Sequence, residues 1–181
     1  MNNYLFYRSV ERHSEPAPTL HSTYKVEMWS PGICRVKPKG IPLVPFCVWW
    51  IFHVLRVFSN REYGLLVIRQ GEKVVHRSVV TPAYLRFPFM ANEDIQVGDT
   101  WTDPDVRGRG LATIALESIL RTPRNRRRTC WYVVEADNAA SIRVVEKAGF
   151  VLVGRGVRTR RFGLGVLGQF QLTESISTCN P

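Results

Sequence analysis

The sequence predicts a single α/β domain, a mixed and twisted sheet of six to seven strands with helices on both faces. Three observations carry that expectation. The chain has 181 residues, 45% of them apolar and five of them Trp, which suffices for one core of ordinary size and is short for two. Runs rich in β-branched residues alternate with runs whose apolar residues recur at helical spacing. Their order is strand, helix, hairpin, strand, helix, strand, helix and one or two closing strands, without an internal repeat, and this builds a sheet covered by helices.

Taken in order, residues 1–22 are polar, contain Pro16 and Pro18 and show no sustained period. They are expected to form a poorly ordered N-terminal extension ahead of a domain at 23–175 and a tail at 176–181. Thr23 to Trp29 alternates as a strand does. Ile41 to Phe58, "IPLVPFCVWWIFHVLRVF", is apolar almost throughout, yet Pro42, Pro45, His53 and Arg56 leave an uninterrupted run too short for a hydrocarbon core of roughly 30 Å. It predicts a core or surface-lying helix beginning after Pro45. Trp49, Trp50 and Phe52, with Arg56 at the end, keep a peripheral membrane contact open.

Tyr63 to Arg69 and Lys73 to Val80 are β-branched runs separated by Gln70, Gly71 and Glu72, a hairpin signal. The irregular piece that follows carries Tyr84, Phe87 and Phe89, which suits a loop packed by its own aromatics or a pocket wall. Ile95 to Thr102 is a strand. Leu111 to Leu120 is a helix with apolar residues at 111, 114, 115 and 119. Thr129 to Ala136 is a strand, and Asn138 to Ala148 is a helix capped by Asn138 and stopped by Gly149. Phe150 to Gly154 and an extended run ending near Leu172 close the sheet.

Cys34, Cys47, Cys130 and Cys179 lie far apart and match no zinc-ligand or disulfide spacing, so free thiols in a reducing compartment are expected and no metal is indicated. The first residues lack the pattern of a secretory signal, which points to a cytoplasmic protein. The formal net charge of +10 is concentrated in Arg121 to Arg128, in Gly154 to Gly163 and at Arg107 and Arg109. A balance of this size implies anionic ligands without selecting one.

The stretch Asp103 to Ala112, "DPDVRGRGLA", narrows the choice. It sits between a strand and a helix, where glycines let the backbone turn tightly and bring unpaired helix N-terminal N–H groups against an anion. An arginine-glycine RNA tract would instead be repeated and set in a segment of low hydrophobicity. A phosphate cradle is the better reading, with Arg107 and Arg109 as charge-assisted donors. Nucleic acid is correspondingly not the expected partner.

Two phrases extend this. Arg107, Gly110 and Ala112 fit an R/Q-x-x-G-x-G/A signature, and "NAASIRVVEKAGF", Asn138 to Phe150, begins 31 residues after Arg107. Together, in this order, they resemble the GNAT acyl-CoA N-acyltransferases, closely over about residues 94 to 155 and elsewhere by topology alone. The resemblance implies acetyl-CoA as cosubstrate. Its pyrophosphate would lie on the backbone of Arg107, Gly108, Arg109, Gly110, Leu111 and Ala112, and its pantetheine arm would pair with Thr100, Trp101 and Thr102, where the sheet splays. Asn138 would contact the pantetheine region, although it also serves as a plain helix cap.

The chemistry implied is direct attack of a neutral amine on the thioester in a ternary complex, which wants a base, a proton donor and a backbone N–H for the oxyanion. Asp99 is the first candidate base, with Asp94 and Glu135 behind it, each of which also reads as a solvated carboxylate. Many family members carry a tyrosine proton donor where this chain has Val145. Ser141, in a phrase resembling that of ribosomal-protein acetyltransferases, is the remaining candidate, or an ordinary first-turn residue.

Other features read as structural. "GLGVLG", Gly163 to Gly168, satisfies GxGxxG but is followed by no helical pattern and suits a bent strand. The Arg121 to Arg128 run follows a helix C-terminus, where cations are favourable. His76 on the hairpin reads as a satisfied sheet residue rather than a base.

The acceptor pocket is expected from the helix after Pro45 and the aromatic loop. With Arg56, Arg61 and Arg86 beside aromatic faces, a small-molecule amine with a ring and an anionic portion fits, such as an amino sugar on a nucleotide or lipid carrier. A protein N-terminus or lysine is the alternative acceptor, and a non-catalytic acyl-CoA-binding module is the alternative class. The sequence leaves oligomeric state unread.

Overall fold

The computed structural model describes residues 3–10, 21–32, 35–42, 44–125, 127–159 and 168–176. In chain order these form β1 (Asn3–Ser9), β2 (Tyr24–Trp29), α1 (Val44–Val54), β3 (Gly64–Gln70), β4 (Lys73–Pro82), β5 (Ile95–Thr102), α2 (Leu111–Arg121), β6 (Cys130–Glu135), α3 (Ala139–Lys147), β7 (Phe150–Arg158) and β8 (Phe170–Ser175). One eight-stranded sheet runs β2-β3-β4-β5-β6-β1-β7-β8. Every neighbouring pair is antiparallel except β5 and β6.

The helices lie on both faces because the strands alternate. On β3, Leu65 and Val67 turn to one face and pack with Phe46 of α1, Phe58 and Tyr63. Leu66 and Ile68 turn to the other face, toward Leu111, Ala115, Leu116 and Ile119 of α2, Val145 of α3 and Ala148 at its C-cap. On α2, Leu111, Ala115 and Ile119 are buried as expected, while Leu116 is fully buried and Ile114 only half-buried. A third cluster, Ala83, Phe87, Met90 and Trp131, carries the aromatic loop down onto the sheet.

Two expectations are corrected. The sheet has eight strands rather than six to seven, and residues 3–9 belong to it rather than to an N-terminal extension. β1 inserts between β6 and β7, pairing Tyr4 with Glu135 and Asn3 with Val157. Its side chains are buried on both sides of the sheet, Phe6 completely, so the period-2 pattern that marks a half-exposed strand is missing. The "GLGVLG" stretch falls at 163–168, of which 163–167 lie outside the described residues, as do Cys34 and Cys179.

At 11 residues, α1 is about 16 Å long at 1.5 Å per residue. Among the described residues no helix is long and apolar enough to cross a membrane. The basic run after α2 is tied into the fold. Arg128 reaches Glu62 at 3.4 Å and Arg124 reaches it at 3.9 Å, while Asn125 Nδ2 donates to the Ile119 carbonyl at 2.8 Å and closes the helix end.

Phe6 joins β1 to the aromatic loop, its ring edge-on to Phe89 at 5.0 Å. Phe6→Ala is therefore expected to lower unfolding free energy by about 3–5 kcal/mol in urea titration. A loose extension would show no change.

Candidate active site

The site begins where two parallel strands part. β5 and β6 pair only through Ile95↔Cys130, Gln96↔Trp131 and Val97↔Tyr132. Beyond that point β6 stays with β1, and Gly98 to Thr102 stay with β4 alone, so one edge of β5 faces a gap. The cause is a bulge. β4 passes from Val79 to Arg77 while β5 passes from Gly98 to Trp101, one residue more, and Asp99 takes up the excess at φ 45°. A bulge raises local twist and turns the strand away from its neighbour, and a positive φ at a non-glycine residue is itself unfavourable.

Both chains leave the gap toward helices. Asp103 accepts from the Asp105 N–H at 3.0 Å and from Lys73 Nζ at 2.8 Å; the lysine, followed by the Asp105 N–H, holds its carboxyl below the usual range. A 3-10 turn, Pro104–Val106, then buries Val106 and delivers the chain to Gly108 and Gly110 at φ 77° and 75°. A Cβ at either glycine would meet nothing within 4 Å, so the backbone angle and not space demands glycine. Gly110 is the N-cap of α2 and no side chain caps that terminus, which leaves its first-turn N–H groups facing the open side of the turn.

The arginines brace this turn. Arg107 Nε donates to the Thr102 carbonyl at 3.1 Å, and Arg109 Nη1 donates to Tyr24 Oη at 3.1 Å across a separate cleft of about 330 Å³ between β2 and α2. After β6, the Asn138 side chain accepts from the Ser141 N–H at 3.0 Å, an N-cap, and Ser141 is half-buried in the first turn of α3. Val145 is fully buried in the core. α3 thus packs where a proton donor was looked for.

On the α1 side of the gap lies a cleft of about 220 Å³. Gln96, Gly98 and Asp99 of β5 and Val133 of β6 line its floor, Trp49 of α1 and the Tyr84 to Phe87 loop line one side, and Arg158 and Phe170 complete it. Asp99 is 49% exposed and 4.0 Å from Arg77. Burial by its surroundings raises its pKa and Arg77 opposes that rise. Asp94, at the other end of β5, is buried and its carboxylate accepts from Ala91 N–H at 3.0 Å and Trp131 Nε1 at 2.8 Å. Glu135 accepts from Tyr4 Oη at 3.2 Å. Of the three carboxylates, Asp99 alone lines the cleft.

Of the arginines expected around the acceptor, Arg86 lines the cleft, whereas Arg56 and Arg61 are exposed and do not. Arg158 and Phe170 were missed. Their signal was present in "GRGVRTRRFG" and in the closing run, as charge followed by an aromatic residue, but nothing local joins them to Arg86.

His76 is fully buried on β4, with Nδ1 at 2.8 Å from Thr102 Oγ1 and Nε2 at 3.0 Å from Ser78 Oγ; Ser78 Oγ in turn lies 3.2 Å from Thr100 Oγ1. This chain of hydroxyls pins the free edge of β5 to β4. Burial pushes the His76 pKa from 6.5 down to about 4. As pH falls through that window the unfolded chain takes up a proton that the folded chain refuses, so stability is present above pH 6.5 and lost toward pH 4. The loss amounts to about 3 kcal/mol at most. Denaturant midpoints of the native protein and of His76→Gln should accordingly converge as pH drops from 6.5 to 4; parallel curves would show that His76 charges in the folded state.

Comparison with known proteins follows this geometry. The family model described as acetyltransferase (GNAT) family matches residues 39–150, more than half of the chain. Among solved structures, a GNAT-family acetyltransferase from Colwellia psychrerythraea superposes with TM-score 0.55 at 16% identity, covering 84% of this chain and 53% of its own. A GCN5-related N-acetyltransferase from Sphaerobacter thermophilus gives TM-score 0.57 at 18% identity, covering 85% and 49%. A structure from Novosphingobium aromaticivorans described as a GNAT-family acetyltransferase gives 0.52 at 16%, covering 85% and 61%. The chain thus spans about half to three-fifths of these proteins' lengths, and the likeness is one of fold. Comparison with curated proteins finds no match.

Proposed function

The chain belongs to the acetyltransferase (GNAT) family, and from that premise we propose that it is an acyl-CoA-dependent N-acetyltransferase that moves an acetyl group from acetyl-CoA to a primary amine. The observation that carries the reading is the parting of β5 and β6 beside an uncapped helix start. The residues fit the cosubstrate: the turn offers open space over Gly108 and Gly110, the α2 N-terminus offers unsatisfied donors for a pyrophosphate, and Gly98 to Thr102 offer a free strand edge for the amides of a pantetheine arm. When bound, the thioester supplies an electrophilic carbonyl carbon and a thiolate leaving group.

This chain's own groups do the rest. Asp99, in the cleft and with a raised pKa, takes a proton from the incoming ammonium, directly or through water, and leaves a neutral amine aimed at the gap. A backbone N–H of the bulged stretch of β5 receives the developing negative charge on oxygen. The new N–C bond forms as the C–S bond breaks, the acylated nitrogen gives up its second proton to solvent, and the departing sulfur takes up one proton. With Val145 buried, α3 supplies no phenol for that proton, so it comes from Ser141 or from solvent. Asn138 keeps its cap and lies at the helix start where the pantetheine arm would pass. Asp94 is left out of the mechanism because Trp131 and Ala91 hold it.

The buried Val145 also favours a second reading, an acyl-CoA-binding module without turnover. Measurement of CoA release over a panel of amines separates the two, since a module binds acetyl-CoA and releases no CoA with any of them. Asp99→Asn is expected to lower kcat/KM by about 10²–10⁴ and to remove the acidic limb of the pH profile, which in the native enzyme falls at a higher pH than for an ordinary aspartate. Gly110→Val forces a β-branched residue into φ 75° and should weaken acetyl-CoA binding about tenfold or more by calorimetry. An unchanged affinity would remove the pyrophosphate from this turn.

A further inference from the structure

The cleft on the α1 side of the sheet carries two kinds of charge on different walls. Asp99 stands on the sheet floor, and two guanidinium groups stand on the wall made by the loop after β4 and the ends of β7 and β8. Arg86 and Arg158 lie with their guanidinium carbons 5.7 and 5.5 Å from the Phe170 ring centroid. That ring is fixed in place: Phe87 stacks on it at 5.6 Å, Tyr4 meets it edge-on at 4.9 Å, and the Phe170 N–H donates to the Arg86 carbonyl at 2.9 Å.

Placing two cations against one ring costs like-charge repulsion, and the ring quadrupole offsets only part of it, roughly 0.5–2 kcal/mol per cation. Arg86 has little else to offset it. Its Nε is buried without a hydrogen-bond partner, and among the described residues no carboxylate pairs with it. By contrast, Arg69, Arg77 and Arg128 each reach a carboxylate. A fork of N–H donors held beside a second guanidinium is suited to an anion of carboxylate or phosphate geometry.

Between the two charged walls the lining is mostly aromatic and apolar, from Trp49, Tyr84, Phe87 and Val133, with Thr81 and Gln96 as neutral polar groups. The cleft volume of about 220 Å³ is below the roughly 300–1,000 Å³ of sites for drug-sized ligands, which favours a small metabolite over a folded or extended peptide. We infer that the acceptor is a small amine that also bears a carboxylate or phosphate, with its ammonium at Asp99 and its anion between Arg86 and Arg158. This rests on the acyl-transfer reading for the role of the amine. Arg86 and Arg158 then set specificity and lie away from the reacting atoms.

The test is calorimetric and needs no turnover. Phosphoethanolamine is compared with ethanolamine, and phenylalanine with phenethylamine, on the full chain in the presence of CoA, for the native protein and for Arg86→Gln, Arg158→Gln and Asp99→Asn. The anion-bearing member of at least one pair should bind the native protein tenfold or more tightly than its partner. Either arginine substitution should erase that difference while the anion-free amines bind as before, and Asp99→Asn should weaken both members alike. The phosphate pair against the carboxylate pair distinguishes the two anions. Equal binding within both pairs, no saturable binding by any of the four, or a difference that survives both arginine substitutions overturns the inference. So does a tripeptide amide with a free N-terminus that binds as tightly as the small acids. If the preference holds and no amine releases CoA, the transfer reading fails and the anion site stands.

Discussion

The structure depends on one interrupted ladder. Two parallel strands exchange hydrogen bonds for three residues and then stop, because one extra residue at Asp99 rotates β5 out of register with β6. An unpaired strand edge inside a sheet is costly unless something satisfies it, since buried backbone donors and acceptors are almost always paired. Here the gap is kept open from both sides. β1 secures β6 across Tyr4 to Arg8, and the His76, Ser78, Thr100 and Thr102 side chains fasten the free stretch of β5 to β4. The open edge, the glycine turn and the start of α2 all follow from that arrangement.

Charge has a narrower meaning than the net +10 suggests. Arg69 is bound to Glu27, Lys73 to Asp103, and Arg124 and Arg128 to Glu62, so several of the cations tie segments together. Among the described residues, the cations that adjoin the candidate site include Arg107 and Arg109 at the turn and Arg86 and Arg158 in the cleft. Even at the turn the arginines are partly engaged, with Thr102 and Tyr24, and the uncapped helix start supplies the donors.

The sequence was most legible where the determinant is local. A glycine at positive φ, an N-cap and a helical period are each set by a few adjacent residues, so the elements from β5 through the turn to α2, and from β6 to α3, could be placed. What depends on distant partners was not legible. β1 meets residues about 130 positions away and hides both of its faces, so "NYLFYRS" shows neither alternation nor a turn signal. Asp94 and Asp99 are the same residue type, just before β5 and within it, and distant partners decide which carboxylate binds an indole and which lines a cleft. Arg86, Arg158 and Phe170 come from three segments that meet only when β8 closes the sheet.

The position of β1 has a consequence for the life of the chain before the fold exists. β1 is an interior strand, and both of its partners, β6 and β7, are made about 130 positions or more after it. At about 5–20 residues per second, the segment bearing Tyr4, Phe6 and Tyr7 waits on the order of ten seconds without its neighbours. Contacts of such sequence separation slow folding and lengthen the exposure of unpaired edges. The nascent chain therefore carries an apolar segment that stays unburied until β6 and β7 have been made.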